Sequence, residues 1–512
     1  MKNLWQTIRG KVYLSLMVAL AVFGSGWAEV AQVHAQQGDP PPLIKKGSVE
    51  FTGSLRTRYE NWGWFDVPGR DSQQDFVGTL FRFALKGKHS LNDTHSIEWA
   101  AEAAFPSLIG LPRNAVAPAP QGALGLGGTY AAGSGDERAS IFLKQAYLRW
   151  GIKGQKFNTG IKIGRFEFSE GAELAATDPT IGALKRTRIQ ERLIGPFGFT
   201  HVGRSLDGGQ LSFGTSTTNV TVLAARPTEG VFQLDGMRQI PGVSVVYASF
   251  NKALHAHKVN DKTQHQGEAR VFGLYYRDTR SVLKTDNRSI IAREADRQND
   301  INVTTIGGHY VRDFKLGKGK ADVLLWGAGQ FGSWGALDQR AGSIVAEVGY
   351  QPEMKWNPWI RAGFTHSTGD DDPTDNEHGT FFQVLPTPRI YARTPFFNMM
   401  NNQDIFAEVI VRPTKKLNIR SDFHSLALSS RKDLWYVGGG AFQKQTFGYV
   451  GRPSSNYRSL GALLDVSVDY QVSSRMALSF YYGQMFGGRV VSSIYPSGQN
   501  GHFGYAELSF RF

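Results

Sequence analysis

Val49-Glu50-Phe51-Thr52-Gly53-Ser54-Leu55-Arg56-Thr57-Arg58-Tyr59-Glu60 alternates along its length. Val49, Phe51, Gly53, Leu55 and Tyr59 fall on one parity, and Glu50, Thr52, Ser54, Arg56, Arg58 and Glu60 on the other. Successive side chains of a strand point to opposite faces, so this stretch reads as a strand with one apolar and one polar face. The pattern returns along the chain. Val77, Thr79, Phe81, Phe83 and Leu85 oppose Arg82, Lys86 and Lys88, and Leu460, Ala462, Leu464, Val466, Val468 and Tyr470 oppose Asp465, Ser467, Asp469 and Gln471. The runs are about 10 to 14 residues long, whereas strands of soluble sandwiches average roughly 5 or 6. That length crosses a bilayer at a tilt.

Eighteen such runs, an even number, lie between residues 48 and 512, including 199–213, 241–251 and 267–281. Short joins such as Gly151 to Gln155, Lys315 to Gly319, Pro413 to Thr414 and Ser473 alternate with long ones at 106–138, 169–198, 369–402 and 429–458. The join at 252–266 breaks the rule, being long on the short side. The expected fold is an all-β, transmembrane antiparallel β-barrel of about 18 strands, with short periplasmic turns and long extracellular loops. Closure follows from lipid, where every backbone N–H and C=O must pair within the protein and an open edge cannot. The final run, with Gly504, Ala506, Leu508, Phe510 and Phe512 opposite Tyr505, Glu507, Ser509 and Arg511, is expected to pair with the first.

Composition narrows the class further. The 512 residues hold 57 Lys+Arg against 44 Asp+Glu, a formal charge of +13, and no Cys. No disulfide framework, thiolate metal site, iron–sulfur cluster or thiol nucleophile is therefore available. No run of about 20 apolar residues occurs outside the extreme N-terminus, which excludes a helical membrane bundle. Lys2, Arg9 and Lys11 precede the apolar stretch Val12 to Phe23, the layout of an export signal. Val33-His34-Ala35 suits cleavage after Ala35, with Ala28 an earlier site. The domains expected are a signal peptide over 1–35, a disordered periplasmic leader over 36–47 rich in Pro40, Pro41 and Pro42, and a barrel over 48–512, in the cell outer membrane. Losing Lys2, Arg9, Lys11 and Glu29 takes the charge from +13 to +11.

Eighteen strands enclose an aqueous lumen in porins, so inward positions read as pore lining. Arg56, Arg58, Arg82, Lys86, Lys88, Arg361, Arg420 and Arg511 lie on that parity, balanced in part by Glu50, Glu60, Glu98, Glu102, Asp422, Asp465, Asp469 and Glu507. Such charges also build cross-strand ladders that only stiffen the wall. Their basic excess favours an anionic permeant, because Arg in a confined channel binds carboxylates bidentately. Thr57-Arg58-Tyr59-Glu60, Lys144-Gln145-Ala146-Tyr147-Leu148, Gly164-Arg165-Phe166-Glu167-Phe168 and Gly203-Arg204-Ser205-Leu206-Asp207-Gly208 resemble the alginate export porin family, most strongly over residues 48 to 230. The resemblance implies an eighteen-stranded barrel with an electropositive, anion-selective pore carrying a uronate polysaccharide outward, and places Arg58, Arg165 and Arg204 in its basic lining. The Arg165 parity relative to Ile161 and Ile163 is wrong for the lumen unless a bulge intervenes.

Other motifs weigh less. Asp370, Asp371 and Asp372, with Asp375 and Glu377, could take Ca²⁺ but lack EF-hand spacing and read as a solvated acidic loop. His255 and His257 read as a basic turn, and Gly438-Gly439-Gly440 does not lead a strand into a helix, as a phosphate loop requires. No nucleophile elbow occurs, so the chain does not read as an enzyme, and no cofactor is implied. The basic charge is spread through strands behind an export signal, which speaks against nucleic acid. Expected partners are an anionic polysaccharide or its oligomers, outer-membrane lipid and lipopolysaccharide, and the barrel assembly machinery through the terminal Phe512. The alternative is a sealed or enzymatic barrel, a hydrolase or a receptor or scaffold for a partner protein, in which loops 106–138 and 369–402 fold inward.

Overall fold

A computed structural model describes residues 42–259 and 262–512. The expected signal peptide, with its two cleavage positions, and the first part of the leader lie outside the described residues. Among the described residues twenty-two strands run in chain order: β1 (Ile44–Lys46), β2 (Val49–Gly63), β3 (Gln73–Ser90), β4 (His95–Ile109), β5 (Phe142–Lys153), β6 (Asn158–Phe166), β7 (Leu206–Gly214) and β8 (Thr218–Pro227). They continue with β9 (Val243–Val259), β10 (Lys262–Asp278), β11 (Ile301–Leu316), β12 (Gly319–Trp334), β13 (Leu337–Pro352), β14 (Trp359–Ser367) and β15 (Glu377–His378). The last are β16 (Asn402–Thr414), β17 (Leu417–Ala427), β18 (Leu434–Gly438), β19 (Tyr449–Pro453), β20 (Ser459–Gln471), β21 (Met476–Gly487) and β22 (Asn500–Arg511).

Among the described residues, eighteen of these close an antiparallel barrel, each paired with its sequence neighbour in the wall and the last with the first. The closing seam pairs Ser54 with Arg511 and runs to Gly63 with His502. Phe512 extends it, donating its N–H to the Gly53 carbonyl at 2.9 Å and accepting the Gly53 N–H at 2.7 Å. The outer face carries the apolar parity: Leu148, Ile163, Val271, Ile306, Ile344, Ile405 and Leu464 are all exposed, as lipid contact requires. The alternation thus becomes a wall with apolar side chains out and polar ones in.

Three boundaries differ from expectation. Strands β9 and β10 continue to Val259 and from Lys262, so most of the join expected at 252–266 is paired β-ladder, whereas β12 and β13 on the long-loop side are joined by Gly335 and Ala336 alone. The run expected over 199–213 starts only at Leu206, which leaves Arg204 in a loop. Residues 44–46, within the segment read as a disordered leader, form the short strand β1 that folds back on Val49 to Phe51.

The expectation of a water-filled lumen also changes, because the long loops fold inward. Leu111, Leu124, Leu126 and Tyr130 from the first, Leu184, Ile194 and Phe197 from the second, and Phe381, Val384, Phe397 and Met400 from another are buried. These apolar side chains cannot remain in water, and the barrel bore is the nearest place to bury them. The loops bond to one another through their backbones: Leu385 donates to the Leu193 carbonyl at 2.7 Å and Gly195 to that of Leu385 at 2.8 Å. The second loop reaches deepest. Its tip carries a short helix, Pro179–Leu184, capped by Asp178, whose carboxylate accepts from the Thr180 and Ile181 N–H groups. Asp178 pairs with Lys320 at 3.3 Å, and Lys185 with Glu268, both partners lying toward the short-turn mouth.

Candidate functional site

Arg58 on β2 points into the lumen and is fully paired: its Nε donates to Glu507 at 2.8 Å, Nη1 to Glu60 at 3.2 Å and Nη2 to the Phe199 carbonyl at 2.6 Å. Arg56 takes the carbonyls of Gly198, at 2.6 Å, and of Thr200. Two arginines of the first barrel strand therefore hold residues 198–200 across the bore. Between them His201 sits over Gly78, where a Cβ would come within 2.2 Å of its imidazole, so only glycine admits the ring. Its Nε2 lies 3.3 Å from Glu60, and burial pulls its pKa down to about 4, so it is neutral at pH 7.

The other inward arginines of the wall are matched by carboxylates. Arg82 donates to Glu102 at 2.6 Å and to Glu167 at 2.9 Å. Arg361 lies 3.1 Å from both Asp322 and Glu347, and Arg420 lies 2.7 Å from Glu408 and 2.5 Å from Asp422. Lys86 is exposed near the short-turn mouth. Arg165 is on the outer face: β6 keeps its register with β5 and β7 without a shift, so Arg165 shares the parity of lipid-facing Ile163. It grips Asp207 with both fork nitrogens at 2.6 and 2.7 Å. No bulge turns it inward, and its placement in the pore lining is corrected to the outer rim. Arg204, buried and off the strands, donates to the carbonyls of Gly439 and Ala441. The Asp370 carboxylate is buried and accepts from the Asp372 N–H at 3.0 Å, so this residue is not part of a solvated loop.

The feature that sequence reading missed lies between the inward loops, toward the long-loop end. A cavity of about 260 Å³ is lined by Trp62, Trp64, Phe199, Tyr449, Arg389 and Arg452, among others. Arg389 donates to the Thr394 carbonyl at 2.7 Å, and burial pulls its pKa down to about 10. Arg452 donates to the Gln121 carbonyl at 2.8 Å and stacks 5.0 Å from the Trp435 ring. Among the described residues no carboxylate pairs with either, so two cations face an aromatic cavity with only neutral acceptors. Beyond Phe199, Arg393 bonds the Tyr505 hydroxyl and stacks 5.5 Å from Tyr481. Arg389 and Arg393 come from a loop and Arg452 from β19, which is not part of the wall, so the parity of the wall strands says nothing about them; the one available signal was the apolar content of residues 380–400.

A closed eighteen-stranded barrel with lipid-facing apolar parity and lumen-facing charge defines a porin-like protein of the outer membrane, and the comparisons agree. Residues 201–503 match the family model described as alginate export, and the chain belongs to that family. Solved structures with the same fold include OccK9 (OpdG) of Pseudomonas aeruginosa, at 11% identity and a TM-score of 0.54 over 91% of this chain and 98% of that one. OccK2 (OpdF) of the same organism, solved in complex with glucuronate, gives 8% and 0.54 over 91% and 96%. A BenF-like porin from Pseudomonas fluorescens Pf-5 gives 10% and 0.53 over 91% and 98%. No curated protein matches.

Proposed function

We propose that the chain is an outer-membrane channel for an anionic polysaccharide of the uronate type, or its oligomers. The observation that carries this reading is the aromatic cavity with Arg389 and Arg452 exposed to it and unneutralised. Sugar rings present apolar faces to Trp and Tyr, and carboxylates match the planar guanidinium fork. From the cavity, Arg393 with Tyr481 and Tyr505, and then Arg58, Arg56 and Arg82, mark a route along the wall formed by β2, β3, β21 and β22. On this route the wall arginines are paired with carboxylates, so selectivity for anions rests on Arg389 and Arg452. The glucuronate bound by OccK2 belongs to the same chemical class, and the family and its structural neighbours are channels rather than enzymes. Phe512 and the outer rim serve assembly and lipopolysaccharide contact.

The test is a planar bilayer with the purified full-length protein. The reversal potential in a salt gradient shifts toward the anion, and uronate oligosaccharides block the current at concentrations where neutral oligosaccharides do not. Replacing both Arg389 and Arg452 by Gln weakens that block by about tenfold or more, since each charge-assisted bond contributes roughly 1.5–3 kcal/mol. A cation preference overturns the reading. The inward loops favour a second reading, a sealed barrel; a permanent lack of conductance, with or without uronate, decides for it.

A further inference from the structure

Strands β18 and β19 pair only with each other and have no ladder bond to the barrel wall. This hairpin hangs in the bore and supplies Val437, Phe442, Tyr449 and Val450 to the cavity. Its fastenings are largely side chains bonded to its carbonyls or to those of its neighbours. Arg280 donates to Gln443 and Thr446 carbonyls, both at 2.8 Å, and is itself neutralised by Asp278 at 2.6 Å. Arg204 holds Ala441 at 3.3 Å and Gly439, and Thr285 donates to the Tyr449 carbonyl at 2.8 Å. Tyr449 donates its hydroxyl to the Gln383 carbonyl, Asn401 its amide to the Leu434 carbonyl at 3.0 Å and Gly230 its N–H to the Phe442 carbonyl at 3.0 Å, while toward the first inward loop Arg452 is the tie. Its Nε and Nη2 donate to the Gln121 carbonyl at 3.2 and 2.8 Å, and Nη2 also to that of Ala123 at 3.2 Å. Its Nη1 is buried without an acceptor, and the residue is only 3% exposed while lining the cavity.

We infer that Arg452 is a latch released by the permeant: a carboxylate entering the cavity takes its guanidinium from the Gln121 and Ala123 carbonyls, and the Arg452 end of the β18–β19 hairpin parts from the first inward loop while its Arg280 and Arg204 anchorage holds. The inference rests on the anionic reading of the cavity. A buried guanidinium with one orphan nitrogen and only neutral acceptors is poorly compensated, and a charge-assisted bond to a carboxylate is about twice as strong as one to a carbonyl. Occupancy and opening are then linked, because the ligand binds the released state better than the latched one. The Asp278-paired Arg280 has no such vacancy and stays in place.

The chain has no cysteine, so a single introduced thiol reports on the hairpin. Ser454, two residues beyond Arg452, is 6% exposed in the latched arrangement. The full-length Ser454→Cys protein in lipid vesicles is treated with a small water-soluble thiol reagent, alone, with a uronate tetrasaccharide, or with a neutral glucose tetrasaccharide, while current block is read in parallel. The uronate raises the labelling rate by about tenfold or more, a population shift set by its differential affinity, and the neutral sugar leaves it unchanged. Adding Arg452→Gln brings labelling without sugar up to the uronate-saturated rate. Current block by uronate with no change in labelling overturns the latch and spares the anionic reading; neither block nor labelling overturns both. Equal labelling with both sugars, or an Arg452→Gln protein that labels as slowly as its parent, also overturns the latch.

Discussion

At the scale of single residues, Glu347 shows how the inner plug is tied to the wall. Its carboxylate on β13 accepts from Arg188 at 2.9 and 3.1 Å and lies 3.1 Å from Arg361 and 3.6 Å from Arg192. Two of these cations come from the second inward loop and one from the wall. Glu347→Gln keeps the shape but strands the buried guanidiniums of Arg188 and Arg192 and leaves Arg361 to Asp322 alone, and stability falls by about 3–5 kcal/mol, read as a lowered unfolding midpoint in detergent. An unchanged midpoint would show that the plug does not depend on this charge. Arg361 was legible from strand parity, since it alternates with exposed Ile360. Arg188 and Arg192 were not, because loop residues have no periodicity to read.

At the scale of elements, the second loop is a plug rather than an extracellular flap. Its tip meets Lys320 and Glu268 near the short-turn mouth, across the full depth of the wall from where the loop leaves β6. Replacing residues 176–187 by a short Gly-Ser linker removes that tip and leaves the barrel ladder untouched. Single-channel conductance is expected to rise several-fold while the folded mobility on a gel stays unchanged; an unaltered conductance would sink the assignment of this tip as an obstruction. Inward folding was partly legible. Phe381, Phe382, Val384, Leu385, Phe396, Phe397, Met399 and Met400 are too apolar for a solvated loop, and all are buried. Which loops meet, and where the cavity between them lies, depends on contacts such as Leu385 with Leu193 that no local pattern encodes.

At the scale of the whole molecule, closure depends on one seam. The Phe512 ring lies across Gly53 on the outer face, so a Cβ at Gly53 would lie 2.3 Å from the ring, and it packs 6.1 Å from Phe81. Gly53→Leu is expected to lower the fraction that acquires the compact, heat-modifiable mobility of a folded barrel. Adding Phe512→Ala restores part of it by removing the obstructing ring; no rescue would place the fault in the backbone instead. The period-two alternation by itself determined the class of fold, the number of strands and which face meets lipid, because a closed sheet in lipid admits no other solution. It also placed Arg56, Arg58, Arg82, Arg361 and Arg420 inward. Parity also set Arg165 outward, against the family resemblance; tertiary structure decided that no bulge turns it inward, that the wall arginines are matched by carboxylates, and that Arg389 and Arg452 are not. The physical reason is that parity fixes the direction of a strand side chain, whereas the net charge it presents depends on partners brought from distant strands and inward loops.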